Sequence, residues 1–91
     1  MYYIYILLLK NGDLYKGYTA RLKSRIREHY LGKVKSTKNY LPIKLIHYKA
    51  YLLKKDAERR EKFLKTTEGK RFLNQQLKEL LKNIVRSGEV A

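Results

Sequence analysis

The chain opens on a run with no polar break. From Tyr2 to Leu9 every residue is aromatic, β-branched or leucine, which is the composition of a β-strand. The run stops at Lys10-Asn11-Gly12-Asp13, and Asn-Gly is the dipeptide best suited to a tight hairpin turn. A second strand is therefore expected from about Leu14 to Tyr18. Thr19 offers a hydroxyl to cap a helix, and residues 20 to 31 change to helical spacing, with Gly32 placed as the C-terminal stop. Residues 33 to 42 hold no sustained period and end in the only proline, the mark of a basic loop. Ile43 to Tyr51 reads as a third strand. Asp56 can charge the start of a helix running through Ala57 to Lys65. After a break near Thr66 to Gly69, Leu73, Leu77, Leu80, Leu81 and Ile84 repeat on one helical face, so a last helix is expected from about Arg71 to Val85.

The order ββαβαα predicts an α+β fold: a small, three-stranded, mostly antiparallel sheet flanked by helices. Ninety-one residues leave room for one modest core. We expect one domain over 1–91, with 70–86 as its C-terminal amphipathic helix.

Charge changes the picture more than length does. The 22 Lys and Arg outnumber the 8 Asp and Glu to give +14, and the positive residues recur from Lys10 to Arg86 instead of gathering in a tail. Such a surface suits a partner with a dense negative backbone. Nucleic acid is favoured over anionic lipid, because no basic amphipathic helix carries a bulky apolar face. The N-terminal apolar run is only eight residues long, with no basic residue ahead of it, so a strand is expected there and not a membrane segment. No cysteine is present, which excludes disulfides, cysteine-type zinc sites and thiol nucleophiles and fits a cytoplasmic location.

The first helix carries two stripes. Leu22, Ile26 and Tyr30 make one, facing the core; Arg21, Arg25 and His29 make a second, turned about 100° from it, which can be held at the core's edge and still meet a ligand. In the second helix Glu61 shares a stripe with Ala57 and Leu64. A carboxylate at the margin of an apolar face needs a partner, and Lys65 at i+4 or an arginine would serve. Tyr2, Tyr48, Tyr51 and His47 read as sheet packing.

Tyr3-Ile4-Tyr5 on the first strand, Tyr15-Lys16-Gly17 on the second, Arg25 and His29 on the first helix and Glu61 on the second form an ordered set. That set resembles the GIY-YIG nuclease domain family, and is similar to the N-terminal nuclease domain of the excinuclease C subunit. The resemblance covers about residues 2 to 75. Tyr3 replaces the glycine of the first motif and Lys16 the isoleucine of the second, and neither change touches a side chain expected to do chemistry. Asn74 resembles an asparagine that often closes the family's site.

The resemblance implies a metal-dependent DNA endonuclease, in repair or recombination, with Tyr5, Tyr15, Arg25, His29 and Glu61 as its catalytic residues. Glu61 would hold a single Mg²⁺ or Mn²⁺, which keeps most of its waters. Arg25 would meet the charge growing on the phosphate with a fork that lysine lacks. Tyr15 is the candidate general base or water-orienting group, with Tyr5 and His29 as orienting or relay groups. Gly17 is expected to turn the chain and bring backbone N–H groups to the substrate, with Arg21, Lys33, Lys35 and Lys38 on the phosphates. DNA is the implied partner, RNA stays open, and no membrane is involved. The competing reading is a non-catalytic nucleic-acid-binding module of the same fold.

Overall fold

A computed structural model describes residues 1–87; the last four residues of the expected 1–91 domain, and the side chains of Val85 and Arg86 at the end of the expected C-terminal helix, lie outside what is described. The strands are β1 (Tyr2–Leu8), β2 (Leu14–Thr19) and β3 (Lys44–Tyr51). The helices are α1 (Leu22–Tyr30), α2 (Lys54–Leu64), α3 (Thr67–Gln76) and α4 (Lys78–Ser87), with a 3-10 turn at Lys38–Tyr40. The expected α+β order holds, except that the last helix is divided in two.

The sheet is fully antiparallel in the order β2-β1-β3, so the most apolar strand takes the centre. Gly12 closes the β1–β2 hairpin at φ 91°, where a glycine has no steric penalty, and the Asn11 side chain accepts the Asp13 N–H at 3.0 Å. Alternation along β1 splits its side chains between two cores. Ile4 and Ile6 pack with Ala57, Leu64, Leu73 and Leu77 from α2, α3 and the residue after it. Tyr5, Leu7 and Leu9 pack on the opposite face with Ile26 of α1 and Ile43. In β3 the register shifts between Ile6 and Leu7 of β1: Ile6 faces His47 and Leu7 faces Leu45, which leaves Ile46 as a bulge.

Three local expectations change. Thr19 belongs to β2, and its hydroxyl accepts the Arg21 N–H at 3.0 Å; Arg21 itself is the residue capping α1. Thr66 and Gly69 start a helix instead of holding one apart. Thr66 caps α3 by accepting the Gly69 N–H at 3.0 Å, and its own hydroxyl donates to the Phe63 carbonyl at 2.6 Å. Gly69 is buried against the Phe63 backbone, where a Cβ would overlap it, so this glycine permits close helix approach. The interruption falls instead at Leu77, whose buried side chain sits between α3 and α4; Leu73 and Ile84 reach the core while Leu80 is exposed.

Candidate active site

Tyr5 stands at the middle of β1 with only 1% of its surface exposed. Its partner across the β1–β2 ladder is Gly17, and a Cβ at position 17 would overlap the Tyr5 ring. Gly17 therefore lies inside a strand, not in the turn expected for it, and its contribution is the missing side chain that lets the tyrosine ring lie across β2. Tyr15 projects from the same face of β2, half-buried, with its ring 6.2 Å from that of Tyr5.

Helix geometry moves His29 from the rim to the core. At about 100° per residue, the position seven after Leu22 lies some 20° from it, whereas the eighth lies some 80° away. His29 thus joins Leu22 and Ile26, and Tyr30, expected in the core, is 49% exposed. The imidazole packs edge-on to both tyrosines, at 5.5 Å from Tyr5 and 5.2 Å from Tyr15. Its Nε2 lies 2.9 Å from the Tyr5 hydroxyl, and its Nδ1 lies 2.8 Å from the hydroxyl of buried Thr37. Burial, reinforced by the Arg25 charge, lowers the His29 pKa to about 4. The ring is neutral at pH 7 and carries one N–H, so it donates one of these bonds and accepts the other. Burial also pushes the Tyr5 hydroxyl up to about 12, against the Arg25 guanidinium, which favours the phenolate. Tyr5 keeps its proton.

Arg25 remains at the rim, 38% exposed, beside the Tyr5 hydroxyl and paired with Glu28 at 3.0 Å. It lines an open depression with Lys33, Val34, Lys35 and Ser36. Arg21, Lys33, Lys35 and Lys38 are all exposed. Thr37 and Glu28 join the site only in the folded chain, through His29 and Arg25. Glu28 carries a signal, an i,i+3 spacing to Arg25; Thr37 sits in an aperiodic loop and carries none.

Glu61 is not among these contacts. Its helix packs on the Ile4–Ile6 face of the sheet, and its half-buried carboxylate, 23% exposed, pairs with Lys65 at 3.3 Å. Among the described residues no group of three or more His, Cys, Asp or Glu gathers as a metal site. Asn74 also lies away from the tyrosines, lining a depression with Lys16 and Lys70. Lys16 has its pKa lowered by burial and by the charge of Lys70.

The His29 pKa makes a testable statement about stability. The folded value lies below the ordinary 6.5, so the unfolded chain takes up a proton first as the pH falls. Stability is full above about 6.5 and is lost between 6.5 and 4, by an amount on the order of 3 kcal/mol for this residue. Urea unfolding across that range is expected to give a steeper loss for the parent chain than for His29→Phe. Parallel curves would mean that the imidazole is protonated in the fold.

A β-hairpin carrying two tyrosines, roofed by a helix that supplies a buried histidine and a rim arginine, defines a class of small α+β domain. The family model of the GIY-YIG catalytic domain matches residues 1–75, and the chain belongs to the GIY-YIG family. A UPF0213 protein of Staphylococcus haemolyticus is 39% identical over 66 residues, 71% of this chain and 80% of that protein. One from Streptococcus agalactiae is 41% identical over 64 residues, 69% of this chain and 73% of that protein. The solution NMR structure of the UPF0213 protein BH0048 from Bacillus halodurans has a TM-score of 0.55 and 35% identity, covering 84% of this chain and 85% of that one. Among the described residues, no helix is long and apolar enough to cross a membrane.

Proposed function

We propose that this protein is a divalent-metal-dependent endonuclease that hydrolyses phosphodiester bonds in DNA. The observation that carries the reading is the convergence of Tyr5, Tyr15, Arg25 and His29 on one face of the sheet, in a chain whose family is built on a nuclease domain.

Each group has work suited to its surroundings. Arg25, charged and at the rim, binds the scissile phosphate and meets the negative charge that grows there in the transition state. Tyr15, half-buried, is the better placed of the two tyrosines to orient or deprotonate the attacking water. Tyr5 keeps its proton and acts as a positioning group, fixed through His29 to Thr37. Arg21, Lys33, Lys35 and Lys38 draw in the phosphate backbone.

Glu61 is the carboxylate that would hold the metal. It lies on the α2 side of the sheet, apart from the tyrosines, half-buried, and its ion pair is with an exposed lysine whose long chain can swing into solvent, so as a lone carboxylate it would hold the ion weakly, with water and substrate phosphate completing the shell. When bound, a divalent ion supplies positive charge and makes its own water more acidic. The similarity of the hairpin motifs to the excinuclease C nuclease domain supports DNA repair or recombination in the cytoplasm as the setting.

The Glu61–Lys65 pair favours one other reading, a nucleic-acid-binding module that does not cut. Incubating the protein with supercoiled plasmid in Mg²⁺, Mn²⁺ and EDTA separates the two. Nicking with either metal and none in EDTA is expected; intact plasmid under all three conditions would leave the binding module.

A further inference from the structure

The tyrosine face does not end at Tyr5. Tyr48, read from the sequence as sheet packing, is the β3 partner of Tyr5 and projects from the same face, yet it is 54% exposed. Its ring meets that of half-buried Tyr3 edge-on at 6.5 Å. Across from Tyr3 stands Ala50, exposed and too small to cover either ring. Helix α1 roofs this face from its Leu7 end as far as Tyr5, through Leu22, Ile26 and His29. The outer end is a strip of sheet with two aromatic rings and, among the described residues, no covering helix.

We propose that Tyr48, braced edge-on by Tyr3, is a stacking platform for an unpaired base of the bound nucleic acid, next to the phosphate held by Arg25. Packing within the fold does not account for Tyr48, because half of a large ring remains in water beside a buried site. The occupant follows from charge and shape. A chain of +14, with Arg25, Lys33 and Lys35 around one depression near the same face, draws in a phosphate backbone. The exposed ring of Tyr48 beside such a groove takes a base, whatever its identity, once that base has left its own stack. Tyr48 is the direct neighbour of Tyr5, so the stacked base would lie within about one nucleotide of the phosphate at the site. The substrate this selects has unpaired nucleotides at the cleavage point: single-stranded, branched or frayed, in preference to intact duplex.

The proposal rests on the nucleic-acid half of the endonuclease reading and not on cleavage, so it is tested in EDTA. Binding of a short single-stranded oligonucleotide, and of the same strand with one abasic position moved along it, is measured for the parent chain, Tyr48→Phe and Tyr48→Ala. Tyr48→Phe is expected to bind like the parent and Tyr48→Ala about 5- to 100-fold more weakly, with an unchanged salt slope. One abasic position should weaken the parent by a similar factor and leave Tyr48→Ala untouched, the non-additivity expected of two groups in contact. Thermal melting checks that Tyr48→Ala is folded. Equal binding by Tyr48→Ala, or a loss that is the same at every abasic position, would overturn the platform. A protein that passes this test and nicks no plasmid would overturn the endonuclease reading alone.

Discussion

Glu61→Gln is expected to lower metal-dependent nicking by about 10³-fold or more while leaving the fold intact. The amide keeps the shape and much of the hydrogen bonding of the carboxylate and removes the charge that retains a divalent cation. A metal that stabilises transition-state charge contributes several kcal/mol, and each 1.4 kcal/mol is about tenfold in rate. The lost Lys65 pair costs little, because an i,i+4 pair with an exposed lysine is worth about 0.3 to 0.5 kcal/mol. Affinity for DNA should hold or rise slightly, since a carboxylate without its metal repels phosphate. Melting, metal titration and cleavage on one preparation decide the matter. A folded variant that still nicks with Mg²⁺ would remove Glu61 from the metal site.

Arg25→Lys is the second large effect: a fall of about 10²-fold or more in single-turnover rate, with affinity changed less than about threefold. Lysine preserves attraction to the backbone as a point charge. It loses the planar fork, and a donor aimed at developing charge is worth about 10² to 10³ in rate. Arg25 is at the rim, its ion pair with Glu28 lies along its own helix, and lysine keeps a positive charge on the side of the buried Tyr5 hydroxyl, so the fold is expected to hold. Saturating enzyme separates rate from affinity, and cleavage at the parental rate would withdraw Arg25 from the transition state.

The parts of this fold that were legible in the sequence are those set by short-range pattern. Asn11-Gly12 marked the hairpin, the run from Tyr2 to Leu9 marked the central strand, and Arg25 stood on the correct side of its helix. The eight-residue spacing from Leu22 to Tyr30 reads as one stripe and leaves His29 at the rim, whereas the helical repeat brings position 29 and not 30 back to the core. Tyr48 was hidden for a different reason. Strict alternation puts Ile46 and Tyr48 on one face of β3, and Ile46 does pack against the α2–α3 core. The bulge at Ile46 breaks that parity and sends Tyr48 to the opposite face with Leu45. Nothing local in the residues 44 to 48 announces it, since the shift is fixed by what the two faces must each bury. Glu61 shows the limit of pattern in another way: helical spacing gives its stripe, but which other elements it meets is decided by how α2 lies on the sheet.

The central position of β1 bears on how the chain survives its own synthesis. The apolar run of β1 and the residue after it, Ile4 to Leu9, is made well before β3 and ends buried, and this is the composition that pairs with copies of itself when left open. Its hairpin partner emerges within about ten residues and shields one edge, but the other edge waits for β3, some forty residues later. During that interval nascent chains carry a strong excess of like charge, which opposes their association at the distances where apolar strands would meet. The same lysines and arginines that suit a phosphate backbone thus guard the open edge of an aggregation-prone strand, and neutralising them in bulk would lower the yield of soluble protein before it altered any encounter with DNA.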